Sequence, residues 1–276
     1  PMQLPVIRLR REMAPDPAVE GRAARYPLHL PAPMFRVLLE QQGPSLGLWR
    51  AAEVAALREH GYHRPVLDLG CGDGLVTSLV LRPVEVGVDP DATALARAAR
   101  LGIYHRLIPR PLETAGLPAG AFATVISNSV LEHVADIDTL LAAVAQVLRP
   151  GGRLVFTAPT EDFSRRLLLP LAGYAARRNR ALAHRNLWPV TRWAAHLEAA
   201  GLEIESTRSY LRPALVTAWD ALEVAQQVRI GGQRALGRVW RRIPPGSFAR
   251  LAAWGARLDL SAPEPGGGRL IVARKR

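Results

Sequence analysis

The sequence predicts an α/β protein with a mostly parallel, twisted sheet, helices on both faces of that sheet, and helical additions near the C-terminus. Short apolar runs alternate with segments of helical periodicity through the middle of the chain, which is the pattern of strands joined by crossover helices. A glycine-rich turn follows the first of these runs. About sixty residues of helical and basic character separate the last two runs, and these predict the C-terminal additions.

The N-terminal part is expected to be an irregular arm followed by a helix. Residues 1–33 contain seven prolines, too many for a regular helix. A helix is expected from Ser45 to His60, where apolar side chains recur on one face and Gly61 follows as a stop.

The elements predicted for the rest of the chain alternate between strand and helix, with an irregular segment at Pro109–Pro118. In chain order they are strand Pro65–Leu69, helix Leu75–Leu81, strand Val84–Val88, helix Ala92–Leu101, strand Thr124–Ser127, helix Ile137–Leu148, strand Arg153–Ala158, helix Trp188–Ala200, strand Leu202–Ser206 and strand Arg269–Ala273. Buried parallel strands are expected in the core. We divide the chain into an arm and helix (1–60), a core (61–160) and a remainder with basic helical insertions (161–276).

The positive charge is concentrated in the last of these parts. Of the formal net charge of +12, residues 1–160 carry +1 and residues 161–276 carry +11. Lys275 is the only lysine among the 36 basic residues, which a compositional bias toward arginine explains. Such a bias does not explain why the excess positive charge lies in residues 161–276. An anionic partner is therefore expected for the C-terminal part.

Two stretches of that part are amphipathic on helical spacing. Arg234, Arg238, Arg241 and Arg242 form a basic stripe beside an apolar one, and residues 248–258 form a second stretch. Such surfaces suit phosphate-bearing lipids or lipid-linked sugars. The alternative is that the apolar faces pack on the core or on a second subunit and the arginines are solvated.

The cysteine content and hydropathy predict the compartment. The chain has one cysteine, Cys71, shows no secretory leader, and has no apolar run approaching the roughly 18 to 20 residues that span a bilayer. A cytoplasmic protein is expected, with a peripheral position at a membrane surface as the alternative.

The turn after the first strand is the strongest motif. It reads Asp68-Leu69-Gly70-Cys71-Gly72-Asp73-Gly74, where backbone N–H groups and a helix N-terminus can hold a ligand. Asp89 ends the second strand, 19 residues after Gly70, where a carboxylate can accept from both hydroxyls of a ribose. A dinucleotide fingerprint would require glycine at position 75, which is Leu75.

With two later segments, this motif resembles the class I, Rossmann-like S-adenosylmethionine-dependent methyltransferases. The matching segments are Val66–Gly74, Phe122–Val134 and Leu148–Leu154, and the region that they span covers about a third of the chain. Ala123 departs from the family pattern, in which an aspartate commonly follows the phenylalanine. The resemblance implies S-adenosyl-L-methionine as the cofactor and a methyltransferase activity.

The resemblance also implies a set of cofactor-binding residues. The backbone of residues 70–72 would line the methionine part of the cofactor. Asp68 would support the amino group of the cofactor, and Asp89 would bind its ribose. Glu113 would face the adenine, at a position where an aspartate is usual. The full set is Asp68, Gly70, Cys71, Gly72, Gly74, Asp89, Pro90, Glu113, Thr114 and Asn128.

Methyl transfer from a sulfonium needs alignment more than catalytic groups, because the methyl group is already activated. If the acceptor is a hydroxyl, His133 is the first candidate for a base, and a histidine that only hydrogen-bonds the turn is the alternative. His184 is the second candidate, and the scattered histidines predict no metal site.

The acceptor is expected to be a small molecule, a sugar or a lipid-linked compound that is methylated on oxygen, and the basic C-terminal part favours an anionic one. Residues 1–60 and 161–276 are expected to shape its pocket, since ligands of open parallel sheets lie beyond the carboxyl ends of the strands. The alternatives are a non-catalytic, cofactor-binding regulator or scaffold and a nucleic-acid methyltransferase.

Overall fold

The computed structural model describes residues 27–169, 171–230, 233–234, 240 and 242–276. Its helices are α1 Ala32–Gln42, α2 Pro44–Leu57, α3 Leu75–Val80, α4 Ala92–Ala99, α5 Ile137–Val147, α6 Ala172–Ala181, α7 Val190–Ala199, α8 Pro213–Gln227 and α9 Pro245–Gly255. Its strands are β1 Val66–Leu69, β2 Val84–Val88, β3 Tyr104–Ile108, β4 Phe122–Asn128, β5 Leu148–Pro159, β6 Leu202–Tyr210, β7 Arg229–Ile230, β8 Gln233–Arg234 and β9 Gly268–Lys275.

Seven of these strands form one sheet in the order β3-β2-β1-β4-β5-β9-β6. Strands β1 to β5 run parallel, and β9 pairs antiparallel with both β5 and β6. The chain leaves β1 toward β2 on one side and later returns to β4 on the other. That change of direction opens a crevice at the carboxyl ends of β1 and β4, where ligands of such sheets bind. The predicted mostly parallel α/β fold with C-terminal helices is confirmed.

The N-terminal helices differ from the expectation. An irregular arm was expected through residue 33, but α1 begins at Ala32, and its proline is tolerated because it stands in the first turn. Gly43, at a φ of 81°, then separates α1 from α2. Met34, Phe35 and Leu38 of α1 are buried. Residues 1–26 of the predicted arm lie outside the described residues.

Strand β3 was not predicted either. It lies at the edge of the sheet, and its sequence mixes apolar with basic side chains instead of forming a continuous apolar run. Edge strands of this kind give a weak hydropathy signal.

The second amphipathic stretch of the C-terminal part packs onto the core. Phe248 and Ala252 of α9 are buried. Gly255 lies so close to α1 that an added Cβ would stand 2.9 Å from the ring of Phe35. The apolar side of this stretch is therefore an internal contact. In the first stretch, Arg238 and Arg241 lie outside the described residues, so that basic stripe stays a prediction.

Helix α6 is held on α8 by a buried carboxylate. Asp220 accepts from the Tyr174 hydroxyl at 2.6 Å, from Arg178 Nε at 2.8 Å and from the Leu168 amide at 3.0 Å. Its side chain is fully buried, and removing any of these donors would leave a desolvated charge poorly paired. The segment before α6 and the inner face of α6 are thereby fixed to the core.

Candidate active site

A cleft of about 370 Å³ lies at the carboxyl ends of β1, β2 and β4. Eight of the residues singled out in the sequence line this cleft. They are Asp68, Gly70, Cys71, Gly72, Asp89, Pro90, Asn128 and His133. The strands that carry them are parallel neighbours, and their carboxyl ends therefore meet at one edge of the sheet.

The glycine turn lets a ligand reach the backbone. Gly70, at a φ of 66°, could not carry a side chain, since a Cβ there would lie 2.4 Å from a methyl carbon of Val130. Gly72, at a φ of 55°, has no atom within 4 Å of its would-be Cβ. The amides of Gly70 and Cys71 both donate to the Val88 carbonyl, which ties this turn to β2.

Asp89 is held by backbone amides at the end of β2. Its Oδ2 accepts from the Gly72 amide at 2.9 Å, and its Oδ1 accepts from the Asp91 amide at 2.8 Å. Asp91 in turn caps the N-terminus of α4. Because each oxygen of Asp89 accepts one such bond, each keeps a lone pair for a ligand in the cleft.

Asp68 is buried beneath the glycine turn. It accepts from the Tyr104 hydroxyl at 2.6 Å. Burial raises the pKa of Asp68 to about 6, and bonds from Tyr104 and Thr77 oppose that rise. The carboxyl is thus mostly ionised at neutral pH and close to its titration range. Tyr104 was missed by sequence reasoning because it belongs to the unpredicted strand β3.

The far wall of the cleft depends on a glutamate of α2. The fully buried Glu53 accepts from Trp49 Nε1 at 2.8 Å and from Arg50 Nη1 at 2.6 Å, both in its own helix. It also accepts from Asn128 Nδ2 at 3.0 Å and from the Ser129 hydroxyl, both at the end of β4. The Asn128 side chain is therefore committed to positioning α2.

Two further polar groups reach the cleft from the N-terminal helices. Gln42 at the end of α1 and Arg50 of α2 both line it. Gln42 Oε1 and Arg50 Nε are buried and have no hydrogen-bond partner among the residues that the structure describes. Such groups are costly to bury unpaired, and because both residues line the cleft they are candidates for pairing with a ligand. Sequence reasoning missed both, because neither belongs to a motif.

Glu132 stands behind this wall and is 1% exposed. Burial raises its pKa to about 8, and the nearby Glu53 carboxylate adds to that rise while Arg50 opposes it. The carboxyl is therefore mostly neutral at pH 7. Its Oε2 has no hydrogen-bond partner within the described part of the chain.

His133 lies at the rim of the cleft with its side chain 40% exposed. Its Nδ1 is 3.1 Å from the Ala183 carbonyl oxygen, and its Nε2 is 3.7 Å from Glu132 Oε1. A carbonyl only accepts, so the hydrogen of the neutral ring lies on Nδ1 and the lone pair lies on Nε2. His184 stacks on this ring at 5.6 Å, and burial lowers the pKa of His184 to about 4.

The remaining predicted cofactor residues lie outside the lining of the cleft. Glu113 and Thr114 form an exposed 3₁₀ turn, Leu112–Thr114, after β3. Gly74 caps α3 at a φ of 74°, and a Cβ there would lie 2.8 Å from the Tyr104 ring. Within the described ranges, no group of three or more histidine, cysteine, aspartate or glutamate side chains is placed to hold a metal ion.

Part of this chain is similar in sequence to known methyltransferases. A family model described as a methyltransferase domain matches residues 44–207, more than half of the chain. An uncharacterized methyltransferase of Mycobacterium tuberculosis is 40% identical over 93 residues, covering 32% of this chain and 47% of the relative. A ubiquinone biosynthesis O-methyltransferase of Cronobacter sakazakii is 31% identical over 103 residues, covering 35% of this chain and 42% of the relative. The chain thus spans less than half the length of these curated relatives.

A solved structure shares the fold. It is a methyltransferase from Thermotoga maritima that depends on S-adenosylmethionine and is described as a possible histamine N-methyltransferase. The TM-score is 0.55 at 13% identity, over 88% of this chain and 100% of that one. At this identity the likeness concerns the fold alone.

The buried carboxyl of Glu132 predicts a pH-dependent stability that Glu132→Gln should remove. The pKa of Glu132 is about 8 in the folded chain, against 4.5 for an ordinary glutamate. Between these values the folded state holds a proton that the unfolded state has lost, so stability falls as pH rises, by up to about 1.4 kcal/mol per unit. The stabilisation that the protonated Glu132 carboxyl contributes is complete below pH 4.5 and is lost above about pH 8.

Urea unfolding of the parent and the variant at several pH values across this range measures the difference. Glu113→Gln is the matched control, because that glutamate is exposed. The free energy of unfolding should depend less steeply on pH in Glu132→Gln than in the parent or the control. An identical slope in all three proteins would mean that Glu132 is ionised in the folded state.

Proposed function

The chain belongs to the methyltransferase-domain family of S-adenosylmethionine-dependent enzymes, and from that premise we propose that it methylates a hydroxyl of a small molecule, sugar or lipid-linked acceptor. The family predicted from the sequence is thereby confirmed. The observation that carries the hydroxyl proposal is the lone pair of His133 Nε2 at the rim of the cleft.

S-adenosylmethionine fits the residues on the glycine side of the cleft. The open space over Gly72 leaves room for the methionine part against the backbone. Asp89, already oriented by two amides, would accept from the ribose hydroxyls, and the ionised form of Asp68 would pair with the amino group. When bound, the cofactor supplies a methyl group activated by the positive charge of its sulfur.

The acceptor would lie on the opposite side, against the N-terminal helices. Gln42 Oε1 offers a hydrogen-bond acceptor and Arg50 Nε offers a charged donor. Together they suit a compound with hydroxyl groups near an electron-rich oxygen. Their position supports the proposal that residues 1–60 cover the acceptor site, and the link between residues 183–186 and His133 supports the same role for the part after residue 160.

His133 would act as the base. Its Nε2 would take the proton of the acceptor hydroxyl while that oxygen gains the methyl group, whose bond to the sulfonium sulfur would break with the electron pair going to sulfur. The exposure of the ring would let the proton pass on to water. The Ala183 carbonyl accepts from Nδ1, which keeps the ring in the required tautomer and stabilises the imidazolium that forms. An ionised carboxylate beside His133 would hold the proton on the imidazole ring. Because the Glu132 carboxyl is mostly neutral, it does not oppose release of that proton.

The acceptor class is tested with S-adenosylmethionine carrying an isotopically labelled methyl group. The purified protein is incubated with separate polar-metabolite, lipid and RNA fractions of a cell extract, and the products are analysed by mass spectrometry. We expect label as a methyl ether in the metabolite or lipid fraction. Label confined to RNA or to a nitrogen atom, or no transfer in any fraction, would contradict the proposal.

Replacement of His133 should slow methyl transfer without weakening the binding of the cofactor. We expect His133→Ala to lower kcat by about 100-fold or more, the usual size of a general-base contribution, while calorimetric affinity for S-adenosylmethionine changes little. His105→Ala serves as the control, since that histidine lies on the edge strand β3. Equal turnover in variant and parent would leave His133 a structural role only.

A further inference from the structure

Three leucines are exposed in one short segment between β5 and α6. Leu168, Leu169 and Leu171 have relative exposures of 38%, 45% and 61%. The other large apolar side chains exposed in the described residues are single residues, such as Trp254, and the pair Val224 and Val228 at the end of α8. Scattered apolar residues are normal on a protein surface, but a contiguous group marks an interaction site.

The charged residues of the segment that carries these leucines are all basic. Residues 163–197 contain seven arginines and no aspartate or glutamate. Three of these arginines already make ion pairs. Arg178 pairs with Asp220, and both Arg165 and Arg166 pair with Asp162. In the part of the chain that the structure describes, Arg177 and Arg180 on α6 make no ion pair. They lie three positions apart and hence on one helix face, which is exposed.

Hydrogen bonds to the core hold the chain before and after these leucines. The Leu168 amide donates to the buried Asp220, and Tyr174 and Arg178 bind the same carboxylate from the inner face of α6. The main chain is therefore anchored on both sides of the leucines while their side chains point to solvent. Burial against the core is not available to them without breaking this network.

The same segment continues into the wall of the cleft. The amides of Arg185 and Asn186 both donate to the Glu132 carbonyl, at 2.8 and 3.1 Å, and His133 contacts the Ala183 carbonyl. Helix α6, with ten residues, spans only about 15 Å. The exposed leucines thus stand about one short helix away from the mouth of the site.

We propose that Leu168, Leu169, Leu171, Arg177 and Arg180 form a leucine–arginine surface that binds an anionic lipid bilayer. The leucines enter the acyl boundary and the arginines pair with lipid phosphates. None of the helices in the described ranges is long and apolar enough to cross a bilayer. This surface would also bring the cleft to a lipid-linked acceptor. That role rests on the proposed function, whereas membrane binding itself does not.

A bilayer explains both halves of this surface better than other occupants. A second copy of the chain in a two-fold contact would place the same arginines against each other, which is repulsive. A nucleic acid would pair with the arginines but would leave the leucines in water, because its backbone offers them no apolar partner. Only a partner with an anionic face over an apolar interior satisfies the whole surface.

Vesicle co-sedimentation tests the proposal with vesicles of pure phosphatidylcholine and vesicles containing about 30% phosphatidylglycerol, at low and high salt. The two test variants remove either the apolar or the charged half of the surface, and each has a control that removes an exposed apolar side chain or two exposed arginines elsewhere. The test variants are Leu168→Ser/Leu169→Ser/Leu171→Ser and Arg177→Gln/Arg180→Gln, and the controls are Trp254→Ser and Arg97→Gln/Arg149→Gln.

We expect the parent to bind the anionic vesicles, with less binding at high salt. At about 1 kcal/mol per arginine, the arginine variant should bind about 25-fold more weakly, and the leucine variant at least about tenfold more weakly. Both controls should bind like the parent. Circular dichroism and cofactor affinity are measured on every variant, so that unfolding or a failed methyltransferase site is recognised separately from lost membrane binding.

Several results would overturn the proposal. One is that the folded parent ignores anionic vesicles at low salt. Others are equal binding to neutral vesicles, or losses in the controls that match those in the test variants. Dimerisation in light scattering that the leucine variant abolishes, without vesicle binding, would assign the surface to a second copy. Retention of an RNA probe that depends on the arginines alone would assign it to nucleic acid.

Discussion

The cleft depends above all on a charge that cannot be left unpaired. Glu53 is fully buried in α2, and an isolated carboxylate at that depth would be strongly destabilising. Its donors come from two places, namely Trp49 and Arg50 in its own helix and Asn128 and Ser129 at the end of β4. The requirement to satisfy this one group therefore fixes the N-terminal helices against the sheet. As a result, Arg50 and Gln42 face the cleft from a rigid wall.

The opposite wall is fixed by a second carboxylate that is bound by backbone instead of side chains. Asp89 joins the loop after β2 to the turn after β1 through the Gly72 amide, so the two loops form one surface. A third wall is the turn at His133, held by residues 183–186. Each wall comes from a different part of the chain, and each is anchored before any ligand binds. Such preorganisation is what methyl transfer requires of a protein, since alignment is its main contribution.

The sequence was sufficient for the parts of this site that follow strands directly. The glycine turn, Asp89 and His133 each come just after a strong apolar run, and parallel strands bring their ends together. It was not sufficient for Glu53, which precedes β1 on a helix whose polar residues resemble those of any solvated face. The burial that raises the pKa of Glu132, and the contact between Ala183 and His133, arise from tertiary packing that periodicity does not reveal. Helix α1 and strand β3 were missed for local reasons, a proline in the first helical turn and an edge strand with basic residues.

We propose that the cleft beyond β1 and β2 binds S-adenosylmethionine through Asp89. Calorimetric titration of the parent, Asp89→Ala and Asp73→Ala tests it most directly, because both variants remove one negative charge from the same cleft and only one removes the ribose acceptor. We expect the parent and Asp73→Ala to bind with similar affinity and Asp89→Ala to bind about 10- to 100-fold more weakly, the size of one or two charge-assisted hydrogen bonds. Equal affinity in all three proteins, or tighter binding of a nicotinamide dinucleotide than of S-adenosylmethionine by the parent, would contradict the account.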